Sequence, residues 1–379
     1  MSDEITSFEV AISDEDLVDL ADRLARTRWP EREPVADWSQ GVPLAYLKGL
    51  CDYWAGAYDW RAREAHFNSF PQFRTEIDGL GIHFLHVRSP IVDALPLVIT
   101  HGWPGSIVEF FDVIGPLTDP SAHGGDPRDA FHVVCPSLPG FAFSDKPTAA
   151  GWGVERTAAA WAQLMTRLGY ERYGAQGGDW GASVSSHLAT LHAEHVVGIH
   201  VNMVIAGPGG DTDDLTEDEQ AALALLKYYD EWDSGYSKQQ STRPQTLGYS
   251  LVDSPAGQCG WILEKFWGWT DTDGDPVAAL GADRILDNIM CYWLTRSGAS
   301  SARIYWESFR TRSTNIVEVP TGVAIFPKEI FRPSRRWAER RYANIIAWDE
   351  PDRGGHFAAF EQPELFVEQL RTFFRQVRS

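Results

Sequence analysis

Two short, almost continuous apolar runs limit most strongly what this chain can fold into. Leu95-Pro-Leu-Val-Ile-Thr100 and Phe131-His-Val-Val-Cys135 have the length of strands but lack the alternation of a strand with one face in water. Such runs are typical of strands that helices cover on both faces. Helical patterns, including residues 156–168, lie between and after the two runs. Residues from about 95 to about 205 therefore predict βαβ units around a mostly parallel sheet.

The segments before these units predict two further parts of the fold. Ser13-Asp-Glu-Asp16 begins a periodic apolar pattern that Trp29-Pro30 ends, and a second helical pattern follows Pro43. Because residues 1–70 precede the strand signals, we expect them to form a helical brace or lid on a core built by later residues. Residues 72–77 and 82–87 then predict an antiparallel pair of strands.

The alternating pattern breaks after residue 205. Residues 206–300 open with a Gly-Pro-Gly-Gly turn and an acidic stretch, and Thr216-Glu-Asp-Glu219 has the spacing of a capping box. The rest of this segment is helical and aromatic in pattern, so we expect a helical cap over the carboxyl edge of the sheet. Strand patterns return after the cap, and the sequence ends on a helical pattern. The core is therefore predicted to comprise residues 71–205 and 301–379.

Composition narrows the classes of function. The chain has 33 Lys and Arg against 53 Asp and Glu, and the resulting net charge of −20 opposes binding to nucleic acid or to an anionic membrane. The first residues, from Met1 on, are acidic and contain neither the cationic nor the apolar part of a signal peptide, so we expect a cytoplasmic protein. The four cysteines lack a paired spacing, which predicts reduced thiols and no metal site.

The stretch Gly177-Gly-Asp-Trp-Gly181 lies between a predicted strand and a predicted helix. Its small-x-acid-x-small pattern has the spacing of a nucleophile elbow, with an aspartate at the position of the usual serine. So sharp a turn leaves no room for a side chain two residues to either side, a requirement that Gly177 and Gly181 meet. The same residues also fit an ordinary turn in which Asp179 caps the helix. The elbow alone therefore leaves two interpretations open.

The loop His101-Gly-Trp-Pro-Gly-Ser106 follows directly after a predicted buried strand. In an α/β-hydrolase, one backbone N–H of the oxyanion hole comes from the residue after the nucleophile, and another comes from the loop after this earlier strand. Trp180 and Trp103 occupy those two positions. An ordinary Pro-Gly turn is the alternative when this loop is considered by itself.

His356 is the only histidine after position 200, and it lies in a Gly-Gly loop at the carboxyl end of a predicted strand. A lone histidine is more often structural than catalytic, but this position suits a general base. Its orienting acid is predicted to be Glu329, which ends a separate preceding strand, and Asp349 and Asp352 compete for that role. The order Asp179, Glu329, His356 is the nucleophile-acid-histidine order of α/β-hydrolases.

Further motifs extend over most of the chain. They include Pro136-Ser-Leu-Pro-Gly-Phe-Ala-Phe-Ser-Asp145, Asp253-Ser-Pro-Ala-Gly257 with Ile262-Leu-Glu-Lys-Phe266, and Gly354-Gly-His-Phe-Ala-Ala-Phe-Glu361. Together with the elbow and the loop at His101, they resemble the microsomal epoxide hydrolase family. The helical segment around Arg28-Trp29-Pro30 is similar to that family's N-terminal domain. We expect no counterpart of the membrane anchor of the animal enzymes, and the chain resembles their soluble bacterial relatives.

This resemblance implies an α/β-hydrolase fold: a mostly parallel central sheet with helices on both faces, a helical cap insertion and an N-terminal helical brace. It also implies two cap tyrosines, which correspond by motif to Tyr236 and Tyr305. Opening an epoxide produces an alkoxide, and two phenol O–H groups above the nucleophile can bind that oxygen while one donates a proton. Buried tyrosines with hydrogen bonds elsewhere are the alternative for both residues.

The resemblance implies an epoxide hydrolase that needs no metal or cofactor. Asp179 attacks an epoxide carbon to form an ester, and His356, oriented by Glu329, activates water to release a vicinal diol. The expected partners are an epoxide and water, without nucleic acid or membrane. The cap tryptophans Trp232, Trp261, Trp267 and Trp269 suggest a bulky apolar or aryl epoxide. Detoxification and natural-product biosynthesis are both compatible roles.

Two alternatives belong to other classes of function. A haloalkane dehalogenase has the same aspartate nucleophile followed by tryptophan, but its cap provides a halide site in place of the tyrosine pair. A hydrolase-fold protein that only binds its ligand is the second alternative, since a fold alone does not prove activity. The sequence leaves the oligomeric state open, and a homodimer is one arrangement.

Overall fold

The computed structural model describes residues 3–210, 212–309 and 315–378. Met1 and Ser2 of the acidic N-terminus lie outside the described residues. So does Asp211, in the acidic opening of the predicted cap, and so do residues 310–314 and Ser379 of the second predicted core segment.

Nine strands in the described part of the chain form one sheet, in the spatial order β1-β2-β3-β5-β4-β6-β7-β8-β9. The neighbours from β5 through β4, β6, β7 and β8 to β9 are parallel, and the pairs at the β1 end are antiparallel. The predictions of a mostly parallel sheet and of an antiparallel β2–β3 pair are therefore confirmed. The strands are β1 (Ile5–Phe8), β2 (Gln72–Ile77), β3 (Leu80–Val87), β4 (Leu95–Thr100), β5 (Phe131–Pro136), β6 (Tyr173–Gly177), β7 (Val196–Val201), β8 (Thr321–Ala324) and β9 (Ile345–Asp349).

The strand β1 was missed by the sequence analysis. It has four residues and pairs with β2 at the edge of the sheet, with Ile5 opposite Thr75. A strand this short contains at most two apolar positions on one face, which is too few to show a period of two. β1 forms because the free edge of β2 offers backbone hydrogen-bond partners, and no local sequence pattern marks it.

The central strands are buried because helices pack against them in two groups. Leu97, Val98 and Ile99 of β4 are fully buried, as are Val133 and Val134 of β5. Helices α5 and α6 pack together and contact β2, β4, β6 and β7, while α4 and α16 pack together and contact β5, β7 and β9. This arrangement explains why β4 and β5 are apolar at successive positions.

Two of the α-helices begin at caps that the sequence predicts. Ser13 caps α1 by accepting from the Asp16 N–H, and Thr216 and Glu219 form the capping box of α7 that their spacing predicts. The helices are α1 (Asp14–Ala25), α2 (Leu44–Gly56), α3 (Trp60–Phe67), α4 (Phe111–Thr118), α5 (Val154–Arg167), α6 (Asp179–Leu191), α7 (Glu217–Tyr228), α8 (Gly235–Thr242), α9 (Pro244–Leu251), α10 (Pro255–Trp269), α11 (Pro276–Leu280), α12 (Ala282–Trp293), α13 (Gly298–Ser308), α14 (Arg335–Ala338), α15 (Ala358–Glu361) and α16 (Pro363–Phe374).

Helices α7 to α13 lie between β7 and β8 in the sequence, and a π-helical turn, Tyr229–Asp233, joins α7 to α8. The N-terminal helices pack on this inserted group: α1 contacts α10, and α2 contacts both α10 and α12. No helix within the described ranges is both long enough and apolar enough to cross a membrane.

Candidate active site

The turn from β6 into α6 is as sharp as its sequence predicts. Asp179 has a φ of +46°, in the left-handed region that residues other than glycine rarely adopt. A Cβ at Gly177 would overlap the backbone of Gly181, and a Cβ at Gly181 would overlap the Thr100 carbonyl. Asp179 is the first residue of α6, not its N-cap, so the ordinary-turn interpretation is wrong. The turn holds the Asp179 carboxylate in one position at the carboxyl end of the parallel strands.

The loop after β4, which we call the oxyanion loop (residues 101–106), approaches this carboxylate. The Trp103 N–H donates to Asp179 Oδ1 at 2.7 Å. A Cβ at Gly102 would overlap the Asp179 side chain, so a glycine is needed for this approach. Trp180 lies in the first turn of α6, where backbone N–H groups have no acceptor within the helix. The Trp103 N–H therefore contacts the Asp179 carboxylate, and the Trp180 N–H has no acceptor within its helix.

Glu329 follows β8, His356 follows β9, and the two side chains meet at the same edge of the sheet. His356 Nδ1 and Glu329 Oε1 are 2.8 Å apart, and both side chains are buried. His356 Nε2 lies 3.6 Å from Asp179 Oδ2. The competing Asp352 is 86% exposed and pairs with Arg353, so it does not face the histidine. The structure thus brings together Asp179, Glu329 and His356.

The charge state of His356 depends on both carboxylates. Burial favours the neutral imidazole, but Glu329 and Asp179 together raise the pKa of His356 well above its ordinary value. The backbone of His356 is held by a hydrogen bond from its N–H to the Trp269 carbonyl, at 2.9 Å. The end of α10 therefore fixes the loop that carries the histidine.

Tyr236 of α8 and Tyr305 of α13 lie together above the elbow. Their ring centroids are 5.7 Å apart. The Trp103 ring contacts the Tyr236 ring, and the Trp180 ring contacts the Tyr305 ring. Burial raises the pKa of both phenols well above the ordinary value, so both keep their protons and can donate. Within the described residues the buried Tyr305 hydroxyl has no hydrogen-bond partner within 3.5 Å.

A cavity of about 650 Å³ lies beside Asp179, Tyr236 and Tyr305. Its volume is in the usual range for pockets that bind small molecules. Its wall exposes more apolar than polar surface, and the apolar lining residues include Trp180, Met203, Ile205, Leu226, Tyr229, Phe309, Ile330 and Phe331. Polar and charged side chains also line it, among them Asp179, Tyr236, Tyr305, His187, Asp230, Lys238, Arg332 and Arg341.

The four cap tryptophans that suggested a bulky apolar or aryl epoxide do not line this cavity. Trp232 is 75% exposed. Trp267 stacks on Trp38, Trp261 donates to Gln240, and Trp269 packs against His356. Sequence composition cannot tell which side of a helix faces a cavity. The apolar wall comes from residues scattered over the core and cap.

Two groups near the site were missed by the sequence analysis. Tyr229 lies in the π-helical turn, and its hydroxyl is 3.0 Å from the Tyr236 hydroxyl. Glu109 lies just beyond the oxyanion loop and borders a cavity of about 20 Å³, together with Asp179 and His356. That volume suffices for one water molecule. Burial raises the pKa of Glu109 to about 8. Neither residue has a local sequence signal, since only the folded chain brings them to the site.

Comparisons with known proteins agree with this arrangement. A family model described as "Epoxide hydrolase N terminus" matches residues 5–110, and one described as "alpha/beta hydrolase fold" matches residues 96–244. The second match confirms the predicted fold. In the described residues no three His, Cys, Asp or Glu side chains are arranged to hold a metal ion.

Relatives match over almost the whole chain. A Stigmatella aurantiaca protein, provisionally named as an epoxide hydrolase, is 57% identical over 377 residues, which is 99% of this chain and 86% of the relative. Epoxide hydrolase 1 of Oryctolagus cuniculus is 38% identical over 97% of this chain and 88% of its own length. The crystal structure of juvenile hormone epoxide hydrolase from the silkworm Bombyx mori has a TM-score of 0.93 and 32% identity, over 99% of this chain and 95% of that chain. These matches favour neither the haloalkane dehalogenase nor the binding protein, and the chain belongs to the epoxide hydrolase family.

Proposed function

We propose that the chain hydrolyses epoxides through a covalent ester of Asp179. The observation that supports this most directly is the position of the Asp179 carboxylate: Oδ1 accepts from Trp103 N–H, and Oδ2 lies nearest to His356. Oδ1 is then the oxygen that becomes the ester carbonyl, and Oδ2 is the oxygen that attacks carbon. A serine at this position would have one oxygen and could not use both contacts.

In the first step, Asp179 Oδ2 attacks an epoxide carbon and the carbon–oxygen bond of the ring breaks. The epoxide oxygen binds between the Tyr236 and Tyr305 hydroxyls, and one of them gives it a proton. Burial keeps both phenols protonated at neutral pH, which supports their assignment as donors. The products of this step are an alkyl-enzyme ester, a free hydroxyl and a phenolate.

In the second step, His356 acts as the base that activates water to attack the ester carbonyl. Forming the ester removes the charge of Asp179, one of the two carboxylates that raise the pKa of His356. The pKa of His356 therefore falls when the ester forms, its proton passes to solvent, and burial then favours the neutral imidazole that a base must be. His356 takes up a proton from solvent again once hydrolysis has restored the Asp179 carboxylate. Trp103 and Trp180 N–H groups stabilise the oxyanion, and the proton released on hydrolysis returns to the phenolate.

The substrate is proposed to be a bulky apolar or aryl epoxide, and the product a vicinal diol. The support is the cavity of about 650 Å³, whose wall exposes more apolar than polar surface. One relative is named for an epoxide of juvenile hormone. A role in detoxification or in natural-product biosynthesis, a cytoplasmic location and a homodimer stay predictions. A product-resolved screen of aryl and alkyl epoxides tests the substrate class.

Labelling with heavy-oxygen water tests the covalent step. In a single turnover with excess enzyme, label should enter Asp179 and not the first diol that is released. Peptide mass spectrometry of Asp179 and mass analysis of the diol measure both products. Label that appears at once in the diol indicates direct attack by water and overturns the covalent scheme. The Asp179→Asn variant is the control, and it should neither form the ester nor release the diol.

A further inference from the structure

A buried ammonium lies next to the active site without a place in the proposed mechanism. The Lys265 side chain on α10 is 3% exposed. Its Nζ donates to Asp233 Oδ1 at 2.6 Å and pairs with Glu264 Oε2 at 2.8 Å. Burying such charges costs several kcal/mol per ion, and apolar replacements of buried ion pairs are often neutral or stabilising. Stability alone therefore gives no reason for a lysine here.

The position of this ammonium points to Tyr236. Lys265 Nζ lies 4.6 Å from the centroid of the Tyr236 ring. Trp103 stacks parallel to the same ring, with centroids 4.9 Å apart and an interplanar angle of 9°. A cation at this distance is attracted by the π-electrons of an aromatic ring. Tyr236 is thus held by an indole stack and a buried cation.

The π-helical turn Tyr229–Asp233 contacts both the Tyr236 hydroxyl and the lysine that lies over the Tyr236 ring. Asp233 Oδ1 binds Lys265 beside the ring, and Asp233 Oδ2 accepts from Trp269 Nε1 at 2.6 Å. At the other end of the turn, the Tyr229 hydroxyl lies 3.0 Å from the Tyr236 hydroxyl. π-Helical turns are rare and are frequent at functional sites. The turn, the lysine and the tyrosine therefore form one connected cluster.

We propose that Lys265, held by Asp233, is a positioning residue that fixes Tyr236 and stabilises the negative charge on its phenol during epoxide opening. The inference rests on the proposed function. The O–H bond of Tyr236 breaks as its proton passes to the epoxide oxygen, and Lys265 keeps its own proton throughout. The phenolate regains a proton when water hydrolyses the ester. Burial, more than any neighbouring group, raises the pKa of Tyr236 and weakens it as a donor. A cation against the face of the ring favours the negative charge that develops on the phenol.

Single-turnover fluorescence measures the rate of alkylation and the rate of ester hydrolysis separately. With styrene oxide as the probe, or trans-stilbene oxide if styrene oxide reacts slowly, Lys265→Met should slow alkylation by about tenfold. Ester hydrolysis should be unchanged, because Tyr236 is not a donor in that step. Lys265→Arg keeps the charge and should retain most of the alkylation rate. Lys48→Met is the matched control: this lysine lies 5.4 Å from the centroid of the Trp29 ring, outside the active site, and its loss should change neither rate.

Two double variants decide whether Lys265 acts through Tyr236. Lys265→Met should slow alkylation in a Tyr305→Phe background but have no further effect in a Tyr236→Phe background. An equal loss in both backgrounds, or no loss in the single variant, overturns the proposal. If Lys265→Met does not fold, Asp233→Asn, which frees the lysine but leaves an acceptor for Trp269, is compared in the same backgrounds. Failure to find label in Asp179 of the unaltered protein contradicts the proposed function itself, independently of Lys265.

Discussion

At the scale of single residues, the most informative group is His356, because the two steps use it differently. The ion pair with Asp179 and Glu329 keeps it charged in the free enzyme. It becomes a base only after Asp179 has been alkylated. Alkylation and hydrolysis should therefore respond differently to any change at this position.

We expect His356→Gln to leave alkylation largely intact and to slow ester hydrolysis by about a hundredfold or more, the usual size of a general-base contribution. The ester should then accumulate and be detected as a mass increase on Asp179 in the intact protein. Glu329→Gln should give a weaker version of the same result, because it removes the acid that orients His356. The assignment is wrong if His356→Gln prevents ester formation as well.

Glu109 provides a prediction about stability and pH. Burial raises the pKa of this carboxyl from its ordinary value of 4.5 to about 8 in the folded chain. The folded state then holds a proton that the unfolded state has lost, so Glu109 makes the fold less stable as pH rises from about 5 to about 8. Glu361, whose pKa burial raises to about 7, acts in the same direction.

Glu109→Gln should remove part of this pH dependence. The variant should match the unaltered protein near pH 5 and be more stable by roughly 2 kcal/mol near pH 8. Urea unfolding at both pH values, followed by far-UV circular dichroism, measures the difference. A stability difference that stays constant between the two pH values would show that Glu109 does not carry the proton.

At the scale of elements, the turn from β6 to α6 depends on two glycines that the sequence already marks. Gly177→Ala or Gly181→Ala places a Cβ into neighbouring backbone, so either change should cost about 3 kcal/mol or more of unfolding free energy. Gly49→Ala is the matched control. Gly49 lies inside α2 with open space around it, and alanine there should stabilise the fold by about 0.5–1 kcal/mol. Thermal unfolding of the three variants tests the contrast, and similar losses in all three would contradict it.

Elements with a strong local signal could be predicted from the sequence. The apolar runs of β4 and β5, the capping box of α7 and the glycines of the elbow each specify their structure within a few residues. The triad geometry follows from these elements, because the carboxyl ends of parallel strands meet at one edge. The sequence therefore predicts that Asp179, Glu329 and His356 lie at this edge, and the structure brings their side chains together there.

Other features depend on contacts between distant parts of the chain. The four-residue β1 is a strand only because β2 offers an open edge. The outward direction of Trp232 and the contact between Tyr229 and Tyr236 are decided by how α7 and α8 join through a π-helical turn. Lys265 is in a motif that the sequence analysis singled out, but no residue of that motif indicates that its ammonium reaches Tyr236.

At the scale of the whole molecule, the N-terminal helices reach the active site through α12. Arg63 and Tyr58 bind the carboxylate of Asp287, which is 1% exposed. The next residue, Asn288, donates to the Pro104 carbonyl at 2.8 Å and accepts from Ser106 Oγ at 2.7 Å. One helix thus connects the N-terminal segment to the oxyanion loop. The Trp103 N–H that binds Asp179 belongs to that loop.

Arg63→Ala should therefore affect both stability and chemistry. It leaves the Asp287 charge buried with one partner fewer, which should cost about 3 kcal/mol of unfolding free energy. Adding Asp287→Asn removes that charge and should recover part of the loss. We also expect slower ester hydrolysis, because a displaced α12 loosens the oxyanion loop, and single-turnover kinetics measures this rate. Arg26→Ala, which breaks only an exposed ion pair on α1, is the control and should cost less than about 0.5 kcal/mol. If Arg63→Ala destabilises the fold but leaves both chemical steps unchanged, the N-terminal helices support the cap without influencing the oxyanion loop.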